Sequence, residues 1–198
     1  MFSKLEFPIY EVIFDEERAV FNNVSIVNSP AIKELFIKMS DEEKTIRLSL
    51  QEDKHIVTGP VLIPDQLILR KDEKGYYYIK FSADTIKKMA LEFFKKHRNT
   101  EGNVEHSISV NGVTFYESYL IDKGRGIAPF EFKDLPDGTW IMSAKIENKD
   151  LWDAIKAGDL NGFSIDAFIE YIPESIKQSE TTIDSLDKLF EIINNNKN

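Results

Sequence analysis

The chain has 198 residues, 42% of them hydrophobic, which suffices for one ordinary core, so a single main domain is expected. A formal charge of −9 and a pI near 5.0 argue against a dedicated nucleic-acid or anionic-membrane surface, since such surfaces need a basic excess. The absence of cysteine excludes disulfides and thiolate metal sites, and no apolar run has the length of a signal peptide or a membrane span, so a soluble intracellular protein is expected.

In chain order, the β-rich runs PIYEVIF, TIRLSLQ, HIVTGPVLI and YYYIKF predict four strands. A helix over roughly residues 84–98 follows the capping candidates Ser82 and Asp84. It repeats apolar residues at Ile86, Met89, Ala90, Phe93 and Phe94, giving one face to cover a sheet. VEHSISV, VTFYESYLI and WIMSAKIE predict three more strands. A second helix near 149–157 then places Leu151, Trp152 and Ile155 on one side and stops at Gly158. The last strand is GFSIDAFIEY. Beyond Pro173 the polar run ESIKQSETT reads as a linker, before a short amphipathic pattern at Ile183, Leu186, Leu189, Phe190 and Ile193. That end piece is either a docking helix or a packed terminal helix. The predicted division is a main domain over 1–173 and a linker with a C-terminal helix over 174–198.

The pair Asn111–Gly112 is the strongest short hairpin signal, because a type I′ turn needs positive φ at both central residues. A two-residue turn there sets the register: Val110 faces Val113, Ile108 faces Phe115, and His106 faces Glu117. The last two would have Cβ atoms about 4.5–5.5 Å apart on one sheet face. A carboxylate so placed can orient an imidazole and stabilise its protonated form, the supporting half of a catalytic triad. The plain alternative is a surface ion pair of small energetic weight, and a longer turn or bulge would break the register. Ser164, in LNGFSIDAF, is the candidate nucleophile. It lies early in an apolar strand beside Asn161 and Gly162, where a substrate backbone can approach closely, although a lone strand serine is more often structural.

Several fragments together carry a resemblance: VSIVNSPAI, IVTGPVLIPD, NVEH followed by ESY, and PDGTWIMSAKIENKDLWDAIKAGDLNGFSIDAF. In this order, over residues 20–172, they resemble the XkdF-like branch of tailed-phage prohead proteases, a group similar in fold to the herpesvirus assemblin proteases. The resemblance implies a serine endopeptidase of capsid maturation that cuts scaffold or scaffold-like segments of the major capsid protein inside the prohead, and often itself. Its partners would be those capsid and scaffold chains, with a homo-oligomer open, and its place the host cytoplasm, within the assembling prohead. The family's histidine maps onto His106 and its serine onto Ser164. The third member varies in the family, so the hairpin register alone nominates Glu117. Downstream acids compete for that role: Asp166, Glu170 and Glu174, of which Glu170 would stand about 20 Å from Ser164 along a strand. The fold expected is α+β and mostly β, a single mixed or antiparallel barrel-like domain flanked by two helices, plus the short C-terminal helix.

The triad template makes His106 the base for Ser164 and Glu117 the orienter. The loop KGRGIA, residues 123–128, is a candidate source of oxyanion donors, beside its reading as an ordinary exposed turn. His97, near a helix end, and His55, at the start of a strand, read as structural. Three histidines without HExxH argue against zinc, and no glycine-rich phosphate cradle is present, so no cofactor is expected. A second reading keeps the fold without proteolysis, as a phage head scaffold or interaction protein.

Overall fold

The computed structural model describes residues 7–14, 20–28, 49–96, 98–100, 102–106, 108–168 and 170–173. Within these, two α-helices and twelve strands form an α+β structure that is mostly β. The strands are β1 (Ile9–Ile13), β2 (Val20–Val27), β3 (Ser49–Gln51), β4 (Ile56–Leu62), β5 (Ile68–Asp72) and β6 (Gly75–Lys80). After helix α1 (Ala83–Lys95) come β7 (Gly102–Val104), β8 (Ile108–Val110), β9 (Val113–Leu120) and β10 (Trp140–Ile146). Helix α2 (Lys149–Ala157) precedes β11 (Gly162–Phe168) and β12 (Glu170–Pro173). The C-terminal helix expected within 174–198 lies outside the described residues, as does His97.

The strands assemble into three open four-stranded sheets, ordered β12-β1-β6-β5, β3-β4-β10-β9 and β11-β2-β7-β8. This corrects the expectation of a barrel-like domain: among the described residues no sheet closes on itself. The pairings β1–β6 and β2–β7 are parallel and the rest antiparallel, so the sheets are mixed as expected.

The main core joins the sheets to both helices, and Ile121, Phe132 and Ile141 form a second, smaller cluster. Ser82 caps α1 by accepting from the Thr85 amide at 3.3 Å, which satisfies one of the orphan N–H groups of the first turn. Ile86, Met89 and Phe93 of α1 are fully buried, and the Phe93 ring meets Phe115 at 5.6 Å and Trp140 at 6.0 Å, both edge to face. Each such side chain stabilises the fold by about 1.5–3 kcal/mol through burial. Phe94, expected on the same face, is instead exposed at its margin. Asn148 caps α2, Leu151, Trp152 and Ile155 are buried beneath it, and Gly158 ends it in the left-handed conformation.

Asn111 and Gly112 do not close a hairpin. Only Gly112 has positive φ, at 79°, and β8 and β9 belong to different sheets. The pair forms a corner over which the chain passes from one sheet to the next. The Gly112 carbonyl accepts from the Glu147 and Asn148 amides, so the corner is tied to the start of α2 rather than to a strand partner.

Candidate active site

The site is built on the sheet β11-β2-β7-β8. Ser164 of β11 is opposite Ser25 of β2, and Ser25 is opposite Asn103 of β7. Directly opposed residues share a sheet face, so the three form a polar row across three neighbouring strands. On either side of Ser25 along β2, Val24 and Ile26 are fully buried in the core.

His106 reaches this row from a turn. Strands β7 and β8 pair through Gly102 with Val110, Asn103 with Ser109 and Val104 with Ile108, leaving residues 105–107 as the connection. Glu105 and His106 both take the left-handed conformation, with φ of 51° and 56°. Non-glycine residues pay for that conformation, and the surroundings hold it in place. The Glu105 amide donates to the Ile26 carbonyl at 3.2 Å, and the Glu105 carboxylate accepts from the Asn28 amide, so the turn is clamped to the end of β2.

Folded back in this way, His106 lies over the row. Its Nε2 is 3.1 Å from Ser164 Oγ and its Nδ1 is 3.1 Å from Ser25 Oγ, while Ser25 Oγ donates to Asn103 Oδ1 at 3.1 Å. Ser25 is fully buried and Ser164 nearly so at 8% exposure, whereas the imidazole stands on the exposed side. A hydroxyl within hydrogen-bond reach of an imidazole nitrogen is the geometry of a serine that can be deprotonated as it attacks a carbonyl.

The structure brings His106 and Ser164 together and leaves Glu117 apart from them. The expected register fails because β9 pairs with β10, not with β8, and because His106 belongs to a turn rather than a strand. Opposite Glu117 stands Ser143, whose hydroxyl donates to Glu117 Oε2 and lies 2.8 Å from the Thr58 hydroxyl. Glu117 thus ends a second polar row, on the sheet β3-β4-β10-β9. Of the competing acids, Glu170 pairs with Ile13 in the sheet β12-β1-β6-β5, Asp166 pairs with Asn23 on β2, and Glu174 lies outside the described residues.

In the loop at 123–128, four of the six amides are engaged. The Lys123 amide donates to Asp137, Arg125 to Asp122, Gly126 to the Lys123 carbonyl and Ile127 to the Asp122 carbonyl. An oxyanion hole needs unengaged donors, and these four are already taken by Asp137, Asp122 and Lys123. His55 stacks on Trp152 with ring centroids 4.7 Å apart, a packing role that agrees with its structural reading.

Sequence reasoning missed Ser25 and Asn103. The signal for Ser25 was the one that had singled out Ser164, a serine inside an apolar run, here VSIV.

A curated relative, "Uncharacterized protein YqbD" of Bacillus subtilis (strain 168), is 27% identical over 188 residues, covering 89% of this chain and 53% of its own length. The chain therefore spans about half the length of the curated relative it matches. No solved structure matches it significantly. The family model described as "Putative phage serine protease XkdF" matches residues 44–173, which include His106, Asn103 and Ser164 and leave Ser25 outside. With about two thirds of its length under that model, the chain belongs to the phage serine protease XkdF family.

Proposed function

We propose that this protein is a serine endopeptidase of phage prohead maturation, with Ser164 as nucleophile and His106 as general base. The observation that carries the reading is the 3.1 Å approach of His106 Nε2 to Ser164 Oγ, made by two residues from distant parts of the chain. Membership of a phage serine protease family supports the same chemistry. His106 takes the hydroxyl proton as Ser164 Oγ adds to the peptide carbonyl, then returns a proton to the departing amine. Water repeats the sequence on the acyl-enzyme. Glu117 takes no part in this reading, since its carboxylate is engaged by Ser143.

The substrates proposed are scaffold segments and the major capsid protein of the assembling head, with the chain itself as a further substrate. Its place is the prohead interior in the host cytoplasm. Similarity in fold to the herpesvirus assemblin proteases belongs to the same proposal, resting on the order of sequence fragments. Among the described residues no helix is long and apolar enough to cross a membrane.

Coexpression with the cognate capsid and scaffold proteins tests the reading, with mass spectrometry of the fragments. Ser164→Ala and His106→Ala should each lower cleavage by at least about 10³-fold, as single losses from a serine–histidine pair do. Identical fragments from Ser164→Ala and the parent would show that Ser164 is not the nucleophile.

A further inference from the structure

No acid contacts the His106 ring among the described residues; both of its nitrogens meet hydroxyls. The order of donors along the row nevertheless fixes where the ring proton sits. Asn103 Oδ1 has lone pairs and no hydrogen, so Ser25 must donate its one hydroxyl proton to it. Toward His106, Ser25 Oγ then has only lone pairs to offer. In the neutral ring the proton therefore belongs on Nδ1, donated to Ser25. Nε2 is left with its lone pair facing Ser164 Oγ, as a general base requires.

We propose that Ser25 and Asn103 are positioning residues that set the tautomer and orientation of His106, a neutral relay in the place a carboxylate would take. The proposal rests on the reading of Ser164 and His106 as nucleophile and base. Every hydrogen in the row points one way, from Ser164 to His106, from His106 to Ser25, and from Ser25 to Asn103. The backbone ladder holds the row: Ser25 is flanked by Ser164 in the antiparallel register of β11 and by Asn103 in the parallel register of β7. Full burial of Ser25 keeps water from competing for its lone pairs. When the ring becomes cationic during turnover, Ser25 can keep accepting from Nδ1, but it supplies a dipole and not a charge.

Nitrogen-15 NMR of histidine-labelled protein, at a pH where the ring is neutral, reads the tautomer without turnover. The parent should carry its proton on Nδ1. Asn103→Leu removes the acceptor and frees the Ser25 hydroxyl to point at the ring, so the Nε2–H form should rise. With it kcat should fall by about 10²- to 10⁴-fold, the range for a misplaced ring or a wrong tautomer. KM should stay within about threefold, because the relay does not touch substrate. Asn103→Asp keeps an acceptor oxygen and should retain both the Nδ1–H form and most of kcat. Ser25→Ala, the smaller change, should lose kcat while its circular dichroism matches the parent. A parent ring protonated on Nε2, or an Asn103→Leu protein with parental tautomer and kcat, would overturn the relay. Failure of the parent to cleave at all would instead overturn the peptidase reading, with the tautomer still measured on its own.

Discussion

At the scale of single residues, two polar rows on two sheets look alike on paper and differ in what covers them. Ser164, Ser25 and Asn103 are covered by an imidazole whose second nitrogen faces a hydroxyl, whereas the Glu117, Ser143 and Thr58 side chains hydrogen-bond to one another with no imidazole over them among the described residues. The second row therefore reads as structural. Glu117→Ala should leave peptidase kcat/KM within about twofold of the parent. It should cost about 1 kcal/mol in urea unfolding, because fully buried Ser143 loses its charged acceptor and keeps only Thr58. A large loss of activity in that variant would return Glu117 to the site.

At the scale of elements, most of what positions the site was legible, and the failures have physical causes. Helix α2 spans the residues its apolar spacing predicts, and its glycine stop is where left-handed geometry demands one. Strand β2 was not recognised, since Asn22 and Asn23 dilute its β-propensity, although it is the central strand that brings Ser25 to the ring. β5 was missed for a related reason, being a polar edge strand read as ILRKD. The run VEHSISV reads as one strand, but the chain turns at Glu105 and His106, because hydrogen bonds from the end of β2 hold Glu105 in a conformation its own propensity disfavours. His106 and Ser164 could be nominated from residue type and resemblance; their meeting depends on sheet order, which no local spacing encodes.

The hairpin carrying His106 has a testable weak point. A Cβ added at Gly102 would stand 2.7 Å from the Val110 carbonyl oxygen and 2.8 Å from the Val113 side chain. Gly102→Ala should thus cost about 1–3 kcal/mol by overpacking and lower activity further by tilting the turn, which parallel denaturation and kinetic measurements would separate. On α2 the contrast is between core and surface. Trp152→Ala should cost about 3–5 kcal/mol by emptying a buried site. Asp153, whose carboxyl is held below its usual range chiefly by the Lys149 hydrogen bond, is exposed, so Asp153→Asn should leave the Tm nearly unchanged.

At the scale of the whole molecule, stability should depend on alkaline pH through Tyr119. Burial against the cluster of Ile121, Phe132 and Ile141, with Glu117 and Glu131 nearby, pushes its phenol up to about 12 from an ordinary value of 10.0. The folded state thus favours the neutral phenol. Its contribution is complete below pH 10 and is lost as pH rises through about 12. Tyr119→Phe should flatten the fall in denaturation midpoint across that window, and an unchanged slope would show that other groups govern it.

The sheet that carries the site is stitched from segments far apart in sequence, with β2 received between β7 and β11. A growing polypeptide consequently holds its imidazole in place, at best, over an empty position until residues 162–168 emerge and dock. On the proposed reading, the pairing of base and nucleophile would then wait for β11 to dock, and β2, β7 and β8 by themselves would hold an imidazole with nothing to activate.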